Sequence, residues 1–140
     1  METFLVVGLG NPGSRYANTR HNAGTDFVHM LCEKYDVELT EKKKYKASIG
    51  KFLLKDMEVI LSIPTLFMNQ SGKSVAPTVK GENIKLKNLL VVHDDLDLPP
   101  GVSKLKFSGG DGGHNGLKDI MQDRKSTRLN SSHRCISYAV

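Results

Sequence analysis

The sequence contains no tryptophan, only two cysteines and no long apolar run. A bilayer-spanning helix needs roughly 18 or more consecutive apolar residues, so none is read here and no membrane partner is expected. Met1-Glu2-Thr3 leads straight into Phe4-Leu5-Val6-Val7 with no basic leader or cleavage site, and a cytoplasmic location is therefore expected. Cys32 and Cys135 are too few for a disulfide framework and too isolated for a spaced metal motif. Strongly one-sided charge is missing as well. The formal charge is +5, but Asp123 to Val140 carries four basic residues against one acid, so residues 1–122 are nearly balanced. Bulk charge makes no case for nucleic acid, and such a case must rest on placed residues.

What is present suits one compact domain: 140 residues, 39% of them hydrophobic and 25% charged. Phe4 to Val7 is short, β-rich and uniformly apolar, as a central strand buried on both faces would be, and it stops at Gly8-Leu9-Gly10-Asn11-Pro12-Gly13. Ala23 to Tyr35 places Phe27, Val28, Met30, Leu31 and Cys32 at helical spacings. Residues 46–54 and Met57 to Ile63 flank the turn-like Lys55-Asp56 and read as a hairpin closed by Pro64. From Phe67 to about Lys80 the pattern predicts a short or kinked helix, weakened by Gly72 and Pro77. Leu89 to Val92 is a second buried strand, ending in His93-Asp94-Asp95-Leu96-Asp97 before the Pro99-Pro100-Gly101 turn. Lys104 to Phe107 reads as a fifth strand, Gly109 to Gly113 as a loop, and His114 to Gln122 as the start of a helix. The alternation predicts an α/β fold, a single domain with a mixed sheet flanked by helices.

Several residue groups carry chemistry. Gly8, Gly10 and Gly13 match the dinucleotide-binding fingerprint, but the predicted helix starts roughly ten residues too late to meet a pyrophosphate, and no acid ends a second strand. The glycines suit a turn presenting Asn11 at the sheet edge. His21 stands in a polar run just before a helix and is the best candidate base, with Asp94 able to accept its other ring N–H. A surface histidine and a turn aspartate are the plain alternatives. Asn11, Asn69 and Asn115 supply uncharged donors for a peptide backbone or an oxyanion, yet they serve equally as a turn former, a helix cap and a loop residue. No G-x-S-x-G elbow exists, and Cys32 lies among apolar helix residues, so no covalent nucleophile is indicated. His93, Asp94, Asp95 and Asp97 follow one another too closely to converge on a metal, and none is expected. Lys42-Lys43-Lys44 reads as a solvated face. Lys104 and Lys106 alternate with Leu105 and Phe107, which places both on one strand face, toward solvent or toward phosphate.

Taken together, Val7 to Gly13, Tyr16 to Gly24, Phe67 to Lys73, His93 to Gly101 and Gly110 to Asp119 resemble the bacterial-type peptidyl-tRNA hydrolase family. One departure is His29, where that family usually has an acid. The resemblance implies His21 as catalytic base and Asp94 as its partner. It implies Asn11, Asn69 and Asn115 on the peptide and the oxyanion, Tyr16 and Met68 against the substrate, and His114 in support. It implies Lys104 and Lys106 on tRNA phosphate, peptidyl-tRNA as substrate and partner, no metal or organic cofactor, and a monomer at full length. The competing expectation is a non-catalytic phosphate- or nucleotide-binding α/β module.

The resemblance spans residues 1–122. Residues 123–140 lose the helical pattern and resemble translated sequencing adapter, so they are expected to be a non-native tail on a partial domain whose sheet is incomplete at the C-terminus.

Overall fold

The computed structural model describes residues 2–10, 23–66, 72–94 and 105–109. The expected Pro99-Pro100-Gly101 turn, residues 110–113 of the Gly-rich loop, the helix over residues 114–122 and the 123–140 tail lie outside them.

In chain order the elements are β1 (Glu2–Gly8), α1 (Ala23–Tyr35), β2 (Thr40–Lys42), β3 (Ala47–Leu54), β4 (Met57–Pro64), α2 (Gly72–Gly81), a 3-10 turn (Leu86–Asn88), β5 (Leu89–Asp94) and β6 (Leu105–Gly109). The strands form one mixed sheet in the order β2-β3-β4-β1-β5-β6. β1 is parallel to both neighbours, β4 and β5. The β2–β3, β3–β4 and β5–β6 pairs are antiparallel.

Burial on both faces explains why β1 reads as a continuous apolar run. Phe4 and Val6 pack under α1 with Phe27, Val28, Leu31 and Cys32. Leu5 and Val7 point the other way, into a second core with Ile49, Ile60 and Ile84, against which Val75 and Val79 of α2 pack. The two helices thus cover opposite faces, the arrangement that α/β crossovers produce around parallel strands. Cys32 is buried in the first core, where loss of hydration pushes its thiol up from the ordinary range, in keeping with a packing role.

Both helices end in the same backbone device. In α1, Val37 N–H reaches back to the Cys32 carbonyl at 2.8 Å, and Asp36 takes a left-handed φ of 57°. In α2, Ile84 N–H bonds the Val79 carbonyl at 2.9 Å with Asn83 at φ 58°. These pairings satisfy helix-end carbonyls that water would otherwise have to solvate.

Two expectations change in detail. β2 is an additional strand: all three of its residues are exposed, so no apolar alternation announces it, and edge pairing with β3 makes it a strand. The helix expected from Phe67 is described from Gly72, with Pro77 inside it.

One packing contact decides the layout of the parallel strands. A Cβ added to Gly24 would run into the Val92 carbonyl and come within 2.7 Å of the Leu9 carbonyl oxygen, both rigid backbone. A Cβ on Gly8 would meet the Gly24 carbonyl and come within 2.5 Å of a Val28 methyl. At Gly72 a Cβ meets nothing within 4 Å. Gly24→Ala is therefore expected to destabilise the fold by about 1–3 kcal/mol, whereas Gly72→Ala is neutral or stabilising by up to about 1 kcal/mol. Urea unfolding of the two variants checks this: the Gly24 midpoint falls and the Gly72 midpoint does not.

Candidate active site

The parallel strands β4, β1 and β5 bring their C-terminal ends side by side. Val7 is level with Ser62, and Gly8 with Val92. Leu9 N–H donates to the Val92 carbonyl at 2.9 Å, which carries the β1–β5 seam past the strand end. The next described residues after Gly10 begin α1, and Gly24 in its first turn is packed on this same seam. Both ends of the segment 11–22 are thus held at one point of the sheet edge.

The topology makes that point a natural crevice. From β1 the chain moves across to β4 by way of α1 on one face, then returns over β1 to β5 by way of α2 on the other. It continues from β5 outward to β6. Neighbouring strands whose onward connections run to opposite sides leave a gap beyond their carboxyl ends, which is where open α/β sheets take ligands.

The expected site residues distribute around this edge as follows. Asp94 is the last residue of β5, two positions beyond Val92, and pairs in register with Leu105. Lys106 is the second residue of β6 and pairs with His93. Lys104 immediately precedes β6 and lies outside the described residues, as do Asn11, Tyr16, His21, Met68, Asn69, His114 and Asn115. Their flanking positions are described. Segment 11–22 hangs between Gly10 and Ala23, segment 67–71 between the end of β4 and the start of α2, and segment 95–104 between β5 and β6. All three leave the sheet from its C-terminal edge.

A further group at this edge escaped the sequence reading. Ala47 pairs with Pro64, so the turn between β2 and β3 stands beside the end of β4. Thr65 fastens it, with its N–H at 2.9 Å and its hydroxyl at 3.1 Å from the Lys46 carbonyl. Lys42, Lys43, Lys44 and Lys46 are all exposed, as a solvated face requires. Their position beside the end of β4 follows only from a contact nineteen residues apart, which no local pattern signals. Beneath the turn, buried Tyr45 donates a hydrogen bond of 2.6 Å to Glu82, and Lys51 bridges the same carboxylate at 3.2 Å. The Tyr45 hydrogen bond, more than the lysine, holds the Glu82 carboxyl below its ordinary range. In return it pushes the Tyr45 hydroxyl up.

Among the described residues no helix is long and apolar enough to cross a membrane. The family model for peptidyl-tRNA hydrolase matches residues 5–130. The chain is 53% identical over 130 residues to the peptidyl-tRNA hydrolase of Tolumonas auensis, covering 93% of this chain and 65% of that one. It is 49% identical over 120 residues to the Haemophilus influenzae protein of the same name, covering 86% of this chain and 62% of the relative. Its fold superposes on the crystal structure of Acinetobacter baumannii peptidyl-tRNA hydrolase with a TM-score of 0.68 at 48% identity, over 86% of this chain and 61% of that one. The chain therefore spans a little under two thirds of the length of these relatives. With a family match over most of its length and about half of the aligned residues identical to curated members, the chain belongs to the peptidyl-tRNA hydrolase family.

Proposed function

We propose that the full-length protein hydrolyses the ester bond of peptidyl-tRNA in the cytoplasm, releasing peptide and free tRNA, and acts as a monomer. Beyond family membership, the observation that carries the reading is the shared C-terminal edge of β4, β1 and β5. The segments bearing His21, Asn69 and Asp94 all start or end there.

In this reading His21 takes a proton from water as the water oxygen attacks the ester carbonyl carbon. Asp94 accepts the other ring N–H, which fixes the tautomer and stabilises the imidazolium that forms. Asn11, Asn69 and Asn115 donate to the peptide and to the oxyanion, where preorganised donors lower the barrier without binding product as a cation would. Collapse of the tetrahedral intermediate breaks the bond to the ribose oxygen, which leaves with the proton from His21. Met68 and Tyr16 line the substrate cleft, and His114 supports it. Lys104 and Lys106 take tRNA phosphate. The chemistry calls for no metal or organic cofactor.

Hydrolysis of peptidyl-tRNA, assayed beside binding of uncharged tRNA, separates this reading from a non-catalytic phosphate- or nucleotide-binding module. Binding without turnover would favour the latter. In the full-length protein His21→Ala is expected to reduce turnover about a hundred- to ten-thousand-fold while substrate binding persists. Unchanged turnover removes His21 from the role of base. Neutralising Lys104 and Lys106 together is expected to weaken tRNA binding and flatten its salt dependence by up to about two units of slope. An unaltered slope returns the pair to a solvated strand face.

The same reading takes residues 123–140 as a tail foreign to the domain. Sequencing the genomic locus checks it, since native reads through Lys125 to Val140 would overturn it.

A further inference from the structure

The turn between β2 and β3 is a cationic group held in a defined place. Residues 41–46 read Glu-Lys-Lys-Lys-Tyr-Lys, four cations against one acid. Tyr45 N–H closes on the Lys42 carbonyl at 3.0 Å and Lys46 N–H on the Lys43 carbonyl at 3.2 Å, so the backbone is folded on itself. Tyr45 is the anchor: it is buried and bound to Glu82, with the Lys44 ammonium 4.8 Å from its ring centroid. Lys46 sits at a left-handed φ of 53°, its carbonyl tied to Thr65. The backbone that carries the cations is thus fixed by a buried ring beneath it and by the end of β4 beside it.

Their place on the sheet edge decides which part of the substrate they meet. The hydrolase reading places the ester over the β1–β5 seam. Lys104 and Lys106, on the phosphate of the RNA, belong to the β6 side. An ester carbonyl has two substituents that depart in different directions, so the peptide runs the other way, over the end of β4. Continuing in that line it reaches β3 and the lysine turn. Strands are spaced about 4.8 Å apart, so the turn, three spacings from the seam, lies about 14 Å from it along the edge. An extended peptide covers that in roughly four residues.

Resting on the hydrolase reading, we propose that Lys43, Lys44 and Lys46 select for acidic side chains in the peptide about four residues from the ester. The interaction is one of solvated charges at a fixed distance. It acts on binding rather than on the chemical step, and it is screened by salt.

The test compares one tRNA carrying N-blocked peptides that differ only at the fourth and fifth residues from the ester, Asp-Asp, Asn-Asn or Lys-Lys. With the unsubstituted full-length protein, KM for the Asp-Asp substrate is expected to be roughly three- to tenfold below that for Asn-Asn. Lys-Lys is expected above both, with equal kcat, and raising the ionic strength shrinks the differences. In the combined Lys43→Gln, Lys44→Gln, Lys46→Asn variant the Asp-Asp to Asn-Asn ratio should collapse toward one. Equal KM values for all three peptides on the unsubstituted full-length protein overturn the proposal without recourse to any variant. It is also overturned if the variant weakens uncharged tRNA binding and lowers its salt slope while treating the three peptides alike, for then the lysines face RNA. Failure to cleave any of the three substrates is a different result: it removes the hydrolase reading, and this proposal with it.

Discussion

Helix α1 occupies its place only because neither Gly8 nor Gly24 has a side chain. The end of β1, the first turn of α1 and the Val92 carbonyl of β5 approach to distances that a single methyl group would forbid. That contact joins three parts of the chain far apart in sequence. It fixes the depth at which α1 begins, and thereby where the segment bearing His21 returns to the sheet. The seam at the carboxyl ends of β1 and β5 is thus set by backbone meeting backbone rather than by any side chain that takes part in chemistry.

Around this fixed point the fold separates two tasks. The sheet interior is apolar on both faces and rigid, with Leu5, Val7, Ile60, Leu61 and Val92 almost fully excluded from water. The segments 11–22, 67–71 and 95–104 begin just past the strand ends, where a chain can present backbone and side chains to a ligand without burying unpaired donors. The lysine turn extends this edge by a further strand. It owes its position to two hydrogen bonds from Thr65 and to a tyrosine that spends its hydroxyl on the carboxylate of Glu82, just past the end of α2.

Much of this architecture was legible in the sequence because the decisive signals are local. Phe4 to Val7 and Leu89 to Val92 read as buried strands from their uninterrupted apolar character, and both are parallel strands of the sheet. Ala23 to Tyr35 read as a helix from its apolar period, and it runs between those two residues. The Lys55-Asp56 turn separates β3 from β4, with Lys55 at a left-handed φ of 56°. What the sequence concealed is non-local. β2 has no buried residue to betray it, and the role of Gly24 depends on Val92, about seventy positions away. Of the candidate site, Asp94 was legible as the end of a strand because a run of apolar residues stops there. The place of Lys42 to Lys46 was not, since an exposed lysine looks the same wherever the chain carries it.

The central position of β1 also sets the order in which the molecule can assemble. β3 and β4 are joined by a two-residue turn and pair at Leu54 and Met57, so they can zip together as soon as both exist. β1 is made before either of its partners, and Leu5 finds Ile60 only 55 residues later and Leu89 only 84 residues later. At about 5–20 residues per second of synthesis, the oldest strand waits seconds with both edges unpaired. Loop closure over such spans is slow compared with local pairing, so the hairpin forms the template and β1 is inserted beside it. The strand that organises the finished sheet is thus recruited late, and the C-terminal edge exists as a surface only after β5 has closed against it.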